Sequence, residues 1–278
     1  MQALVGELWR LEGPKVENHV GDVAWQRFQH AGREGEWRIR LWEEDAEPVA
    51  WAWVRRPPML QHEIHPRHRG GALHEELIAW FEEVVEGEEL RVSSLSTDAE
   101  RLAFLRSCGY EEDPEAKEFV YHACELSDVA RPAVPEGYRL RTVGPDDLEQ
   151  RVALHQVVWA PSRVTVGSYA NLQAAWPYRA DLDCVAEAPD GALAAYAHAW
   201  LDSDNRVGEL EPVGTHPDHR RRGLASAVCR FAHHRLLEEG AEMAIVYSLA
   251  GSDATALYES IGMREHDRSL ELVKRRKP

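Results

Sequence analysis

The chain has 278 residues, enough for about two domains of ordinary size. Hydrophobic residues make up 44% and charged residues 29%, a globular composition that excludes a disordered or collagen-like chain. Forty-eight acidic against 32 basic side chains leave a net charge of −16, the wrong sign for a general nucleic-acid binder; a cationic substrate such as an amine is compatible, as is an acidic surface that only aids solubility.

At the start, Met1–Arg10 has no basic region followed by an apolar core, so no secretory leader is expected. In chain order, Glu36–Trp42 and Pro48–Val54 pattern as a pair of strands, and Leu60–Ile64 as a short strand. Leu73–Val85 has helical spacing, Leu90–Leu95 is a strand, Ala99–Cys108 a helix and Lys117–Cys124 a strand. Ser127–Gly137 gathers Pro132, Pro135 and Gly137 in a polar run and suits a linker, since proline continues neither a helix nor a central strand. After it, Tyr138–Val143 is a strand and Asp146–Trp159 a helix. Leu182–Glu187 and Ala192–Leu201 are strands joined by the turn Pro189-Asp190-Gly191. Arg206–Thr215 is a strand, Leu224–Glu239 a helix stopped at Gly240, Met243–Leu249 a strand, Ala254–Ile261 a helix and Glu265–Val273 a strand. The two halves show the same order of signals. This predicts an α/β (α+β) chain of two tandem units, residues 1–126 and 138–278 joined by 127–137, each a mixed central sheet flanked by helices.

No apolar run, Ala192–Leu201 included, approaches the roughly 20 residues of a membrane helix, so no membrane partner is expected. Cys108, Cys124, Cys184 and Cys229 lie far apart without a CxxC pair, which predicts reduced thiols and a cytoplasmic protein. The histidines, among them His62, His65, His68, His216 and His219, lack HExxH spacing, and no metal is expected.

The strongest chemical signal is Gly214–Ser226, GTHPDHRRRGLAS. A strand ends, Pro217 turns the chain, a basic loop follows, and small residues open a helix. Free N–H groups and the helix dipole at such a start bind an anion, and Arg220, Arg221 and Arg222 add charge for phosphate oxygens. The spacing is neither GxxxxGK[ST] nor GxGxxG, which disfavours nucleoside triphosphate and dinucleotide loops.

Arg220-Arg221-Arg222-Gly223-Leu224-Ala225 resembles the R/Q-x-x-G-x-G/A pyrophosphate loop of the GNAT N-acetyltransferases, and Ala254–Met263 (ATALYESIGM) is similar to their A-x-x-L-Y-x-x-x-G-F segment. The resemblance covers Tyr138 to Lys274. It implies that acetyl-CoA is the co-substrate, with Arg220, Arg221, Arg222, Gly223, Leu224, Ala225 and Ser226 around its pyrophosphate and the backbone of Val213, Gly214 and Thr215 along its pantetheine arm. It also implies that Tyr258 protonates the departing thiolate. Where many members have asparagine seven residues before the tyrosine, this chain has Gly251, and Met263 replaces their phenylalanine.

Acetyl transfer to an amine needs a neutral amine, hence a base. Glu209 and Glu211 lie on one face of the strand leading into the loop, with Leu210 on the other, and either fits that role. Trp159, Tyr169 and Trp176 fall in the region where the family builds its acceptor pocket, and packing is the competing role for each. Trp51 and Trp53 suit a core or an interface between halves. In the first half, His65–His74 lines up with His216–Ala225 without gaps, setting Ala72 against Gly223 and His74 against Ala225; a shifted frame, Arg67-x-x-Gly70-x-Ala72, needs a loop two residues shorter. Leu105 stands for Tyr258, and Pro58 and Leu60 for Glu209 and Glu211. The expected protein is a tandem GNAT N-acetyltransferase, active in its second half on a small-molecule primary amine. The alternatives are a non-catalytic acyl-CoA-binding regulator, and a GNAT using another acyl-CoA or a protein lysine.

Overall fold

Hydrophobic periodicity carries most of the elements to their places in the computed structural model, which describes residues 1–55 and 58–276. Two helices not read from the sequence come first, α1 (Gln2–Glu12) and α2 (Val20–Phe28). They are followed by β1 (Arg38–Glu44), β2 (Glu47–Arg55), β3 (Met59–Ile64), α3 (Ala72–Val84), β4 (Glu89–Leu95), α4 (Ala99–Ser107), β5 (Glu111–Glu112) and β6 (Phe119–Glu125). Residues 127–137 contain neither helix nor strand. The second half runs β7 (Arg139–Thr142), α5 (Leu148–Val158), α6 (Val166–Gln173), β8 (Asp183–Glu187), β9 (Leu193–Asp202) and β10 (Val207–Thr215). It ends with α7 (Leu224–Glu238), β11 (Met243–Leu249), α8 (Asp253–Ser260) and β12 (Arg264–Arg275). Among the described residues no helix is long and apolar enough to cross a membrane.

Each half has its mixed sheet, and the two are joined into one, in the order β1-β2-β3-β4-β12-β6-β11-β10-β9-β8-β7 with β5 on β12. The joint is a reciprocal exchange. Strand β6 of the first half runs antiparallel to β11 from Met243↔Glu125 to Leu249↔Phe119. The later part of β12 runs antiparallel to β4 from Ser269↔Leu95 to Arg275↔Glu89, while its first part lies on β6. Each half's sheet is thus closed by the other half's last strand.

Helices α3 and α4 cover the first half's sheet around Leu77, Phe81 and Leu105, and α7 and α8 the second half's around Val228, Leu236 and Tyr258. The N-terminal helices span both halves. Leu4, Val5 and Leu8 of α1 form one stripe against Trp51, Trp53, Val207 and Ile245, so the two tryptophans fill the interface between halves. Helix α2 packs Ala24 and Trp25 against Trp200 and Tyr169. Full burial of each such apolar side chain contributes about 1.5–3 kcal/mol.

Candidate active site

Strands β10 and β11 pair in parallel at only three positions, Val207↔Met243, Gly208↔Ala244 and Glu209↔Ile245, and then splay. On the other edge, the β9–β10 register slips between Leu210 and Val213. A cleft of ≈ 650 Å³ lies past the splay. Val213, Gly214 and Thr215 line it from β10, Arg220, Arg221 and Gly223 from the loop, and Leu224, Ala225 and Ser226 from α7. Ala254, Leu257 and Tyr258 line it from α8. The strand edge facing β11 beyond Glu209 offers backbone groups that no described strand takes up.

The loop is built for an anion. A Cβ at Gly214 would come within 2.7 Å of Val158 and 2.9 Å of Tyr196, so only glycine lets α5 and β9 close there. Gly223, the N-cap of α7, holds φ +81°, and the first-turn N–H groups of α7 face the loop. Arg220, Arg221 and Arg222 pair with no carboxylate of any described residue. Arg222 instead donates to the Tyr138 hydroxyl (3.0 Å) and the Asp218 carbonyl (3.3 Å), which steadies the loop, and its side chain is not part of the cleft lining. In a chain of net charge −16, three guanidiniums left without acids make a local positive site.

Tyr258 is buried at the inner end of this cleft, and burial pushes its hydroxyl well above the ordinary range, so it holds its proton at neutral pH. Glu209 and Glu211 both point away from α7, on the face where α2 packs, as the alternation predicts. Their surroundings differ. Glu209 is fully buried, 3.2 Å from His19 Nδ1 and hydrogen-bonded carboxyl to carboxyl with Asp22. That contact requires one of the two to be protonated, and burial raises both. His19 Nδ1 already accepts the Gly21 N–H (3.2 Å), and burial lowers its basicity, so this contact brings the Glu209 carboxyl oxygen no hydrogen bond. Asp22 also accepts from the His19 N–H (2.7 Å) and the Tyr247 hydroxyl (3.3 Å). Glu211 is half-buried, and its side chain has no hydrogen bond or ion pair with any described residue. Burial first, and then the Asp22 charge, push it up to about 8.

Glu211 lines two further cavities. One, of ≈ 330 Å³, adjoins the cleft through Trp159. The other, of ≈ 320 Å³, lies between the halves, walled by α2, β3, β6, β11 and β12 through Asp22, Gln61, Tyr121, Tyr247 and Ser269. The three acceptor-pocket candidates separate here. Trp159 is half exposed, faces the cleft and donates its indole N–H to the Tyr196 hydroxyl (2.8 Å). Tyr169 is fully buried in the core with its hydroxyl on Asp183 (2.5 Å), and it lines none of these cavities. Trp176 is 63% exposed and lines none of them either. The pocket expectation fails for Tyr169 because its hydroxyl belongs to the buried Arg151–Asp183 pair, and for Trp176 because it follows the end of α6 on the outside. Asp22 and His19 are the site neighbours that sequence reasoning missed. Among the described residues no three His, Cys, Asp or Glu side chains gather as metal ligands would.

In the first half the corresponding space is filled. Helix α3 starts three residues after Arg69, where α7 starts four after Arg220, so the loop is one residue shorter and neither register read from the sequence holds. His74 then stands for Ser226, not Ala225. Its ring turns inward, stacking on Phe104 at 3.8 Å, reaching His62 Nε2 at 3.4 Å and accepting the loop's Gly70 N–H at 3.2 Å. Arg101 on α4 donates to Glu63 on β3 at 2.9 Å, both buried. By position, His62, Glu63, His74, Arg101 and Phe104 replace Val213, Gly214, Ser226, Ala254 and Leu257, all of which line the second-half cleft. Arg69 is tied to Glu12 of α1 by two bonds, 2.9 and 2.6 Å, where Arg220 has no acid.

Residues 191–272, which include the loop and the splayed strands, match the FR47-like protein family. A GCN5-related N-acetyltransferase from Sphaerobacter thermophilus shares the fold over all of this chain and 92% of its own, with TM-score 0.66 and 20% identity. A tandem GNAT protein from the clavulanic acid biosynthesis pathway does so over all of this chain and 94% of its own, with TM-score 0.68 and 17% identity. The chain has the tandem GNAT fold. This tandem GNAT chain is also similar to the mycothiol acetyltransferase of Streptomyces coelicolor, 24% identical over 292 residues covering 96% of this chain and 88% of that one. Its similarity to the mycothiol acetyltransferase of Streptomyces griseus is 25% identity over 236 residues, covering 82% and 73%.

Proposed function

We propose that the protein transfers the acetyl group of acetyl-CoA to a primary amine on a small molecule, in the cleft of its second half. The observation that carries this reading is the run of space from a loop whose three arginines pair with no described carboxylate, past Tyr258, to an unpartnered Glu211. The donor set fits acetyl-CoA: helix-start N–H groups and Arg220 and Arg221 for the pyrophosphate, and a free strand edge at Val213–Thr215 for the amide-bearing arm.

The amine attacks the thioester carbonyl carbon directly. Glu211, ionised, takes the proton the amine must lose, directly or through one water. Burial, and then the Asp22 charge, raise its pKa to about 8, so the ionised base becomes the main form as pH rises through that value. Backbone N–H groups at the β10 bulge serve the oxyanion. As the carbon–sulfur bond breaks, Tyr258 gives its proton to the thiolate. The first half, with its cleft filled by His74 and the Arg101–Glu63 pair, binds no acyl-CoA and serves as a wall of the acceptor site. Calorimetric titration with acetyl-CoA tests the reading. One site per chain, lost in Gly223→Glu, is expected; two sites, or none, would overturn it.

A further inference from the structure

The cavities beside Glu211 hold an acid and a cation whose side chains have no hydrogen bond or ion pair with any described residue. Glu211 is one. The other is Arg55 at the end of β2, whose Nε is buried without a hydrogen-bond partner and whose guanidinium pairs with no described carboxylate. Lys117, in the same cavity wall, is equally unpaired among the described residues. The remaining acids there are already engaged, and none pairs with Arg55, although the charges of Asp22 and Glu17 reach it: Glu17 by the Ser93 hydroxyl (2.5 Å) and Arg101 (3.5 Å), Asp22 by the His19 N–H (2.7 Å) and the Tyr247 hydroxyl (3.3 Å), and Glu271 by Arg91.

His30 lines both cavities and reports on the cations around it. Burial and the fields of Arg55, Arg33 and Arg163 hold its imidazole below the ordinary range; Arg55 shares one cavity wall with it, and Arg33 and Arg163 the other. Arg33 is shared with Glu36, and Arg163 donates to the Ala31 carbonyl (3.1 Å). Such a cluster runs against a net charge of −16. A buried unpaired charge is costly, and a ligand that brings the matching charge removes the cost. A guanidinium offers a planar fork that suits a carboxylate or a phosphate.

We propose that the acceptor amine is zwitterionic: its ammonium group meets Glu211, and an oxyanion group, carboxylate or phosphate, is held by Arg55 with Lys117 and His30 beside it. The amine half of this statement rests on the acetyltransferase reading; the anion half does not. Acetate and inorganic phosphate are therefore titrated into the full chain, with and without acetyl-CoA, against chloride at matched ionic strength. The His30 ring resonances are followed by NMR and assigned with His30→Gln. A saturable one-site shift, with His30 becoming more basic, is expected for at least one anion, and acetate against phosphate tells the two sources apart. Arg55→Gln should weaken that binding about tenfold or more, as loss of a charge-assisted hydrogen bond does; Lys117→Gln repeats the test if Arg55→Gln folds poorly. Shifts no larger than those of chloride, or shifts unchanged in both variants, would overturn the anion site. Turnover of L-amino acids over their α-amides, read as CoA release, should favour the free acids at least tenfold; equal rates would overturn the zwitterionic acceptor. Failure of acetyl-CoA to bind by calorimetry would remove the acetyltransferase reading and leave the anion result standing.

Discussion

Replacing Glu211 by glutamine removes a cavity-lining carboxylate that has no partner among the described residues, and stability reads the effect without any acceptor. Burial and the Asp22 charge raise Glu211 from the ordinary 4.5 to about 8. A carboxyl raised on folding gives stability that is fully present below its unfolded value and is lost as pH rises through the folded one. At ~1.36 kcal/mol per pH unit the full loss is on the order of 5 kcal/mol. Roughly 2 of that is gone by pH 6, and roughly 3 more goes between pH 6 and 9. The cavity beside Glu211 admits solvent, which brings the later portion to about 2 kcal/mol. The assay is urea unfolding of the native protein and Glu211→Gln at pH 6 and pH 9. The variant should gain about 2 kcal/mol on the native protein between the two. Curves that stay parallel within about 0.5 kcal/mol would refute the raised carboxyl; a cation pairing Glu211 would give that result, since a depressed carboxyl has finished titrating before pH 6.

Tyr258→Phe should cut CoA release at neutral pH by about 10²-fold or more while acetyl-CoA affinity in calorimetry stays within about twofold, since it removes an acid and not a phosphate contact. Arg101→Met leaves Glu63 buried and unpaired and should cost about 3–5 kcal/mol by denaturant unfolding; adding Glu63→Gln should restore much of it. A fragment of residues 138–278 lacks β6, leaving the edge of β11 bare, and should sediment as aggregates where the full chain does not.

The sheet strands were legible as short apolar runs bounded by turn residues, β9 being buried along its whole length, and the four main flanking helices by their apolar stripes; Met243–Leu249 is a strand with the bounds expected. Helices α1 and α2 escaped because Gly6 and Gly21 interrupt short stripes, and their apolar faces meet both halves at once. With α2 went His19 and Asp22, so Glu209 and Glu211 looked interchangeable. Only packing separates them: α2 covers Glu209 and leaves Glu211 at the cavity. The filled cleft of the first half was half-legible. Its large residues stand in the repeat where the second half has small ones, but a loop one residue shorter shifts His74 from the position of Ala225 to that of Ser226.

The strand exchange explains why a half with a filled cleft is still part of the site. Tyr121 lies on β6, which is hydrogen-bonded into the second half, and Ser269 lies on β12, which is hydrogen-bonded into the first. Both line the cavity that contains Glu211, as does Arg55 from β2. Two domains joined only by residues 127–137 would hold such walls loosely. Shared β-ladders fix them to within a hydrogen-bond register, which is the tolerance a positioned amine and base require. In the proposed reading, the first half can carry a buried Arg101–Glu63 pair where the second half has its cleft and lose nothing the acceptor site would need: what that site would take from it is a rigid wall and Arg55, and both depend on the sheet rather than on a cleft.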